Sequence, residues 1–417
     1  MITINEAIDA VLAEVRPLPA EEVPLLQALG RAAGEAIVSP ERVPAFDNSA
    51  MDGYAVRGAE LAAGRREFGV DVEIPAGRWV AEHIGEGHAA KIMTGAPLPS
   101  GVDTVVPVEF TSQTGDALTI NEPVEPGANV RRAAEDLAEG DVLFPRGALL
   151  GPAEIGLLAS VGYERVSVAC RPRVAILATG SELVAAGAPL APGQIRNSNS
   201  FTAYGQVLAA GAEPVLLGIA RDELEETRRL ISAALEHDVV LTSGGVSVGE
   251  YDFVKQVQEE LGVERRFWGV ATKPGKPLAF GVREGTLVFG VPGNPVAAMV
   301  CFELYVRPAL LAMQGRPDLY RPYLFAAAEE PVRRTKERAE VRRCLLVHRG
   351  RGWGFTTTGP QGSGILRSMV LADGLAVVPA GHPAGEPGEE HLVTLLAGGA
   401  AERPPYPGAG AAPSVGA

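Results

Sequence analysis

Residues 238–252 read DVVLTSGGVSVGEYD, an apolar strand that runs into two glycines and then into a helical pattern. Such a junction places backbone N–H groups and a helix N-terminus at the end of a strand, where they can face an anion. Ser243, Ser247 and Asp252 add two hydroxyls and a carboxylate at the same place. The stretch therefore predicts a tight strand–helix turn and, on the favoured interpretation, an anion-binding loop.

The segments on either side alternate between strand and helix patterns. RVAILAT (173–179), EPVLLGIA (213–220) and TLVFGVP (286–292) are mostly apolar, as buried strands are, and amphipathic helical patterns separate them. This order predicts an α/β domain with a mostly parallel sheet over residues 171–316. Ligands bind such sheets at the carboxyl ends of the strands.

The N-terminal part of the chain predicts two further domains. Residues 46–140 hold short alternating strands between Pro and Gly turns, which indicates an inserted β-rich domain. Residues 1–45 and 141–170 flank it and predict one discontinuous, elongated helical domain. Its first helix, over 3–15, begins with a capping-box pattern, and a weaker helical pattern covers Leu25–Ala36.

The C-terminal part predicts a small β domain and a tail. Residues 317–397 return to short strands and turns. Residues 398–417 are rich in Pro, Gly and Ala, a composition typical of disorder. The predicted fold is thus multidomain, with an α/β domain, an inserted β-rich domain, an elongated helical domain and a C-terminal β barrel.

Composition limits the possible partners and the compartment. The 417 residues carry 37 basic and 51 acidic side chains, a net charge of −14 that disfavours nucleic acid and anionic membranes. Three cysteines lie far apart without a CxxC pair, as expected in a reducing cytosol. No secretion signal and no apolar run near 18 residues occurs. We expect a cytoplasmic protein.

Two further motifs follow predicted strands. ATKPGKPLAFG (271–281) contains Lys273 and Lys276, two of five lysines in the chain, and either forms an ordinary exposed loop or binds an anion. In VFGVPGNPVAAMV (288–300), Asn294 suits a helix N-cap and Pro295 the first helical position. That motif predicts a second helix start facing the same sheet edge.

Three carboxylates stand in polar, glycine-bearing segments. They are Asp52 in PAFDNSAMDGYAV, Asp136 in RRAAEDLAEG and Glu182 in ATGSEL. Such residues serve in turns or on a solvated surface, or else in metal and proton chemistry. A role in metal or proton chemistry would require these three carboxylates to lie together at one site in the folded protein.

Two patterns favour plainer interpretations. Residues 331–351 carry eight basic side chains against two acidic ones, and we expect this basic strip to decorate an exposed β face. Gly245–Gly249 matches the GxSxG nucleophile motif formally, with His382 or His391 downstream of Ser247. No HGGG-type oxyanion segment accompanies it, so a serine hydrolase is only a weak alternative.

The ordered series of motifs resembles one family, the molybdopterin molybdenumtransferases, and is similar to the C-terminal domain of gephyrin. The likeness extends from the first helix to about residue 396. The motifs that carry it are FDNSAMDGYAV (46–56), IMTGAPLPSGVDTVV (92–106), EDLAEGDVL (135–143), LATGSEL (177–183), SGGVSVGEYD (243–252), KPGKPLAFG (273–281), PGNPVAAM (292–299), QGSGILRSM (361–369) and ADGLAVVP (372–379).

The resemblance implies a fold and a reaction. It implies the four domains given above in a homodimer, with each active site formed by groups of both subunits. The implied reaction cleaves adenylylated molybdopterin to AMP and inserts molybdate into the dithiolene, with a divalent cation, usually magnesium. The molybdopterin adenylyltransferase is an implied partner. Alternatives in the same fold are a metal-dependent pyrophosphatase on a nucleotide-type substrate and a non-catalytic scaffold module.

The resemblance also implies roles for single residues. Of the implied catalytic groups, Asp52, Glu182 and Asp252 would also hold the metal. Two positions depart from the family pattern: Ser181 stands where many relatives have Asp, and Gly364 replaces a histidine found in some members. The implied catalytic residues are Asp52, Thr94, Asp136, Glu182 and Asp252; the implied substrate-binding residues are Ser243, Gly244, Gly245, Ser247, Lys273, Lys276, Pro292, Asn294 and Pro295.

Overall fold

The computed structural model describes residues 1–244, 253–333, 337–350 and 352–396. The chain divides into two compact units. The first combines residues 1–20 with the chain from 169 onward, and the second comprises residues 21–168.

The first helix, α1 (Ile4–Leu12), forms as predicted. Thr3 Oγ1 accepts a hydrogen bond from the backbone N–H of Glu6, and the Glu6 carboxylate accepts one from the N–H of Thr3 at 2.7 Å. Two apolar side chains of this helix, Ala7 and Val11, are buried in the core of the α/β domain. The capping box thus starts a helix whose apolar stripe belongs to the first unit.

The helix predicted over Leu25–Ala36 is wrong. Only a short 3-10 helix, Leu25–Ala28, forms there. Gly30 then takes a left-handed φ of 74°, and Ala32 and Ala33 enter bridge pairs with Leu149 and Val168. The chain reverses at the glycine because that residue adopts this conformation without a steric penalty.

The second unit is mainly β structure. Six of its strands form one sheet in the order β7-β4-β6-β5-β9-β8, which confirms the inserted β-rich domain. Its elements, with the strand β1 that enters it, are β1 (Ala20–Pro24), β2 (Ile37–Val38), β3 (Asn48–Ser49), β4 (Gly53–Val56), α2 (Gly58–Ala62), β5 (Glu67–Ile74), β6 (His88–Ile92), β7 (Thr104–Pro107), the 3-10 helix Val108–Phe110, β8 (Thr111–Thr114), β9 (Ala117–Ile120), β10 (Val130–Arg131), β11 (Val142–Phe144), α3 (Pro152–Ser160) and β12 (Arg165–Ala169).

The first unit continues with the α/β domain. Its sheet has the order β16-β13-β17-β21-β20-β18, and the first four strands are parallel, as predicted. Apolar clusters cover both faces of the sheet. Its elements are β13 (Arg173–Thr179), β14 (Leu183–Val184), β15 (Ile195–Arg196), α4 (Asn199–Ala209), β16 (Glu213–Ala220), α5 (Leu224–Ala234), β17 (Val239–Ser243), α6 (Phe253–Glu260), β18 (Glu264–Trp268), β19 (Thr272–Lys273), β20 (Ala279–Arg283), β21 (Thr286–Val291), α7 (Pro295–Cys301), a π-helical segment (Phe302–Val306) and α8 (Arg307–Met313).

In the described part of the chain one helical stretch, Pro295–Met313, is long and apolar enough to cross a membrane by length and composition alone. Inside the protein, however, 72% of its 18-residue apolar window is buried. Phe302, Tyr305 and Leu310 of this stretch pack in the same core as the sheet. Its composition therefore reflects a core position in the α/β domain.

The C-terminal domain is a closed barrel, which confirms the predicted β barrel. Its strands follow the order β23-β24-β22-β26-β25, and β25 pairs back with β23. Strand β19 of the α/β domain adds to β23 in parallel, with Lys273 opposite Glu340. The elements are β22 (Tyr323–Ala328), β23 (Ala339–Arg349), β24 (Gly352–Thr357), α9 (Arg367–Val370), β25 (Gly374–Val378) and β26 (Glu390–Leu395).

Candidate functional site

The carboxyl ends of the parallel strands form one continuous edge. Register pairs Ala178 of β13 with Ser243 of β17, and Ser243 with Val291 of β21. The motifs that follow these three strands in sequence therefore lie side by side. This adjacency is the one expected for a ligand site in an open α/β sheet.

Gly244 sits at the centre of this edge. It adopts a φ of 91°, and its N–H donates to the carbonyl of Val291 at 3.2 Å. A Cβ at this position would lie 2.7 Å from the backbone oxygen of Thr179. Both the conformation and the close approach of β13 require glycine. Ser243 is 8% exposed beside it, whereas Gly245, Ser247 and Asp252 of the same predicted loop lie outside the described residues.

Glu182 follows β13 on the same edge. Its side chain is exposed and lies over Gly180, where an added Cβ would come within 2.7 Å of Oε1. The neighbouring Ser181 exchanges two hydrogen bonds with Asp222, each of 3.1 Å. Ser181 N–H donates to the Asp222 carboxylate, and the Asp222 N–H donates to Ser181 Oγ. A carboxylate is thus adjacent to the position where the family pattern has Asp.

Sequence reasoning missed Asp222. It follows β16, whose last residue Ala220 accepts a hydrogen bond from the N–H of Gly180. The parallel pairing of β13 with β16 was the available signal, because residues just after paired parallel strands become neighbours.

The second helix start forms as predicted with one difference. Asn294 occupies the N-cap of α7 and Pro295 its first turn, but the Asn294 side chain makes no capping hydrogen bond. Its backbone carbonyl accepts from Ala298 N–H, as a capping residue's does. The free amide instead lines a neighbouring cavity.

That cavity has a volume of about 580 Å³ and lies between the α/β domain and the barrel. Both belong to the first unit. Four of the five substrate-binding residues predicted from the segments 271–281 and 288–300 line this cavity: Lys273, Lys276, Pro292 and Asn294. The fifth, Pro295, is the first residue of the adjacent helix α7. Polar and charged side chains on its wall are Lys273, Lys276, Asn294, Arg338, Glu340, Arg342, Arg343, Gln361 and Ser363.

The basic strip supplies the three arginines of this wall. Arg342 is 9% exposed and Arg343 is 1% exposed, so the expectation that the strip decorates an exposed β face is wrong for both. The charge of these arginines was evident from the sequence. The strand that pairs with β23 and buries them was not. Because β19 pairs with the beginning of this strand, the arginines meet Lys273 and Lys276 at one cavity.

Glu340 partly neutralises this cationic wall. The residue is 7% exposed, and its Oε1 accepts from Lys273 Nζ at 3.1 Å. Its Oε2 accepts from Arg342 Nε at 2.8 Å. One buried carboxylate thus holds a lysine of the α/β domain and an arginine of the barrel. Lys276, Arg338 and Arg343 add further positive charge, so the wall remains cationic.

In the second unit, two predicted catalytic residues contact each other directly. Asp52 Oδ1 accepts from both the backbone N–H and the hydroxyl of Thr94, each at 2.7 Å. These bonds, that of the backbone first, hold the pKa of Asp52 below its usual range. Asp52 is exposed and ionised at neutral pH, and its Oδ2 makes no hydrogen bond with the described residues.

Asp136 lies on a neighbouring segment. Asp47 Oδ1 accepts from Ala133 N–H and its Oδ2 accepts from Arg132 Nη1, each at 2.8 Å, which anchors the turn that leads to Asp136. The same two bonds lower the pKa of Asp47, and the Ala133 N–H contributes most. Strand β3, directly after Asp47, pairs with β10, directly before Arg132. Sequence reasoning assigned no functional role to Asp47.

Metal-binding potential rests on carboxylates. Within the described ranges no three His, Cys, Asp or Glu side chains already form a metal cluster. Asp252, the third predicted ligand, is outside those ranges. Asp52 offers a free, ionised oxygen and Glu182 an exposed carboxylate, and oxygen donors of this kind suit Mg²⁺.

Family models match nearly the whole described chain. Residues 2–162 match the MoeA N-terminal region (domain I and II), residues 175–312 a probable molybdopterin binding domain, and residues 326–396 the MoeA C-terminal region (domain IV). These limits follow the order of domains in the fold.

Curated and solved relatives agree with the family models. The chain is 38% identical over 369 residues to molybdopterin molybdenumtransferase 2 of Mycobacterium tuberculosis, covering 86% of this chain and 90% of the relative. It is 41% identical over 330 residues to the Haemophilus influenzae molybdopterin molybdenumtransferase, covering 78% and 81%. A solved molybdopterin biosynthesis MoeA protein from Pyrococcus horikoshii superposes with a TM-score of 0.83 at 34% identity, covering 95% of this chain and all of that one. The chain therefore belongs to the molybdopterin molybdenumtransferase family, whose members act in molybdenum cofactor biosynthesis.

Proposed function

We propose that this protein cleaves adenylylated molybdopterin, releases AMP and inserts molybdate into the dithiolene of the pterin. The observation that carries the proposal is the cationic cavity beside the glycine edge of the sheet. Two lysines and three arginines line it, against one acidic residue. An acidic protein of net charge −14 needs such a local pocket to hold an oxyanion.

The two ends of the proposed substrate need different surroundings. In this proposal Ser243, Gly244 and Glu182 lie at the phosphate end of the substrate, because ligands of parallel sheets bind at the carboxyl ends of the strands. The cavity presents Lys273 and Lys276 to molybdate, because ammonium groups bind tetrahedral oxyanions by charge and hydrogen bonds.

The acidic residues act on the pyrophosphate end in this proposal. Two negative charges about 4 Å apart repel by roughly 4 kcal/mol at an effective dielectric of 20, so carboxylates alone would repel a phosphate. A bound magnesium ion supplies the positive charge that joins carboxylate and phosphate oxygens. Asp52, Glu182 and Asp252 would hold it. Thr94 keeps Asp52 ionised and oriented through two hydrogen bonds.

Three further expectations belong to the proposal. The working form is a homodimer, the molybdopterin adenylyltransferase supplies the substrate, and the protein acts in the cytoplasm. Sedimentation velocity of the full chain tests the first expectation. A pull-down with the purified adenylyltransferase tests the second.

The decisive experiment measures AMP. Purified protein is mixed with adenylylated molybdopterin, a divalent cation and molybdate, and AMP release is followed with time. We expect release that depends on both the cation and the oxyanion. No release with any divalent cation would refute the proposal. Fast release without molybdate would instead favour the alternative, a pyrophosphatase that acts on nucleotide-type substrates.

A further inference from the structure

A mostly apolar groove lies between helix α1 and the barrel, within the first unit. Its volume is about 800 Å³, and its lining residues differ from those of the cationic cavity. Helix α1 contributes Ile4 and Ile8, and the barrel contributes Leu375, Val377 and Leu392. A concave surface of this size, lined by apolar side chains with a few polar ones, is typical of a binding site.

Three neighbouring strands of the barrel present one face to this apolar groove. Register pairs Thr394 of β26 with Tyr323 of β22 on one side and with Leu375 of β25 on the other. Leu392, two residues earlier on β26, stands opposite Phe325. Residues two apart on a strand share a face, so these five side chains belong to one surface.

This surface carries exposed aromatic rings. Tyr320, Tyr323 and Phe325 are each more than half exposed. The rings of Tyr323 and Phe325 meet edge to face, with their centroids 6.2 Å apart. Scattered single apolar residues are ordinary on a protein surface, whereas a contiguous exposed patch beside a groove marks an interaction site.

The described chain ends beside the apolar groove. Leu396, its last residue, packs against the same buried cluster as the groove residues Ile4 and Leu304. The Leu396 N–H donates to the carbonyl of Asp373 at 2.9 Å, which fixes the point where the chain leaves the barrel. Residues 397–417 therefore begin next to this surface.

The sequence beyond Leu396 has the composition that such a groove binds. Residues 397–401 are only Ala and Gly, and the first larger side chains belong to ERPPYP (402–407). Proline-rich segments bind aromatic-lined grooves because proline restricts the backbone before binding and so lowers the entropy cost. Tyr406 is ten residues beyond Leu396, a reach of at most about 35 Å, which exceeds the width of the groove.

Charge favours the same segment. Asp9 lines the apolar groove and is exposed, and its carboxylate forms no ion pair within the described ranges. Arg321, the basic residue of the groove, is already paired with Glu303 at 3.0 Å. Arg403 is the only basic residue among positions 397–417, and it directly precedes the Pro-Pro-Tyr-Pro sequence. Opposite charges are thus available on the groove and on the tail.

We propose that the ERPPYP segment of the same chain occupies the apolar groove, with Tyr406 on its apolar floor and Arg403 beside Asp9. The tail covers the exposed aromatic rings, and a chain that ends at Leu396 leaves them open to solvent. This surface is separate from the cationic cavity, so the inference stands apart from the proposed reaction.

Hydroxyl-radical footprinting, read by mass spectrometry, tests the proposal on the full chain and on a chain that ends at Leu396. A short tether gives an effective concentration of about 1 mM, so an affinity of about 100 μM for the free segment leaves roughly one tenth of the grooves open. The Tyr323 ring should therefore be modified about 3- to 10-fold faster in the shortened chain. Trp353, an exposed aromatic residue of the barrel outside the groove, is the internal control and should react equally in both.

A substitution in the tail of the full chain sharpens the test. Tyr406→Ala should raise the modification of Tyr323 nearly to the level of the shortened chain. Val415→Ala, in the same tail but outside ERPPYP, is the matched control and should behave like wild type. A labelled peptide of residues 397–417 should bind the shortened chain about 10-fold more tightly than the full chain, because the tail of the full chain competes with it.

Three outcomes would overturn the proposal. The first is equal modification of Tyr323 in the full and the shortened chain. The second is wild-type modification in Tyr406→Ala, which decides the matter if thermal melting shows that the shortened chain does not fold. The third is protection of Tyr323 that disappears when the full chain is diluted tenfold, which would assign the groove to a second copy of the chain.

Discussion

The acidic segment of the second unit and the cationic cavity of the first are built by different means. Asp52 and Asp47 each accept a hydrogen bond from a backbone N–H, those of Thr94 and Ala133. Lys273 and Arg342 are held instead by one side chain, that of Glu340. Backbone donors persist through substitution, whereas a side-chain partner can be lost by a single mutation. The acids should therefore be robust in position, and the cations should depend on Glu340.

The largest expected effect concerns the charge of Asp52. Asp52→Asn keeps the shape and the hydrogen bonds from residue 94 but removes the charge. We expect AMP release to fall by at least about 100-fold, the scale of losing one preorganised electrostatic group, with an unchanged melting temperature. Asp116→Asn, an exposed turn residue of the same domain, should behave like wild type. Wild-type turnover in Asp52→Asn would remove Asp52 from the site.

The next effect concerns the side-chain support of the cavity. Glu340→Gln removes the buried carboxylate that joins Lys273 to Arg342. The free energy of unfolding in urea should fall by about 2 kcal/mol, because two cations lose their shared partner. Glu390→Gln, exposed on β26, is the control. An unchanged free energy of unfolding in Glu340→Gln would mean that Lys273 and Arg342 do not depend on this carboxylate. That result would contradict the contrast between backbone-held acids and side-chain-held cations.

A smaller effect is expected at the glycine edge. Asp222→Ala removes the carboxylate that accepts from the N–H of Ser181, next to Glu182. Loss of one exposed hydrogen bond should reduce kcat about fivefold or less and leave molybdate binding unchanged. The neighbouring Glu223→Ala is the matched control. An equal loss in both variants would show that the effect is not specific to the Ser181 contact.

The smallest effect tests the side-chain hydroxyl donor to Asp52. Thr94→Val removes the hydroxyl bond and keeps the N–H bond. A lowered pKa means that the Asp52 charge is present above its ordinary value of about 3.9 and is lost only as the pH falls through the lower folded value. The acid limb of kcat/KM due to Asp52 should therefore lie below about pH 4 and move upward in Thr94→Val. Thr111→Val should leave the profile in place; an identical profile in Thr94→Val would contradict the assigned cause.

The sequence was sufficient to predict the features that depend on local residue patterns and on the order of strands along the chain, namely the parallel sheet and its ligand-binding edge. The apolar strands before Gly244 and Asn294 identified the parallel sheet and its ligand edge, because strand ends of this kind carry turn residues in a recognisable order. Contacts between distant segments were not predictable. Asp222 meets Ser181 across 41 residues, and Glu340 meets Lys273 across 67. The charge of the 331–351 strip was evident, but its burial depends on pairing of β19 with β23.

The crowding at Gly244 has a consequence for how this protein can diversify. Any side chain there would collide with the backbone of Thr179, so this turn at the end of β17 admits only glycine. The cavity between the α/β domain and the barrel is lined instead by long side chains of both domains, among them Lys276 and Arg338, which can change one at a time. Engineering or natural drift toward another oxyanion should therefore proceed through substitutions in this cavity, while Gly244 stays the same in every successful variant.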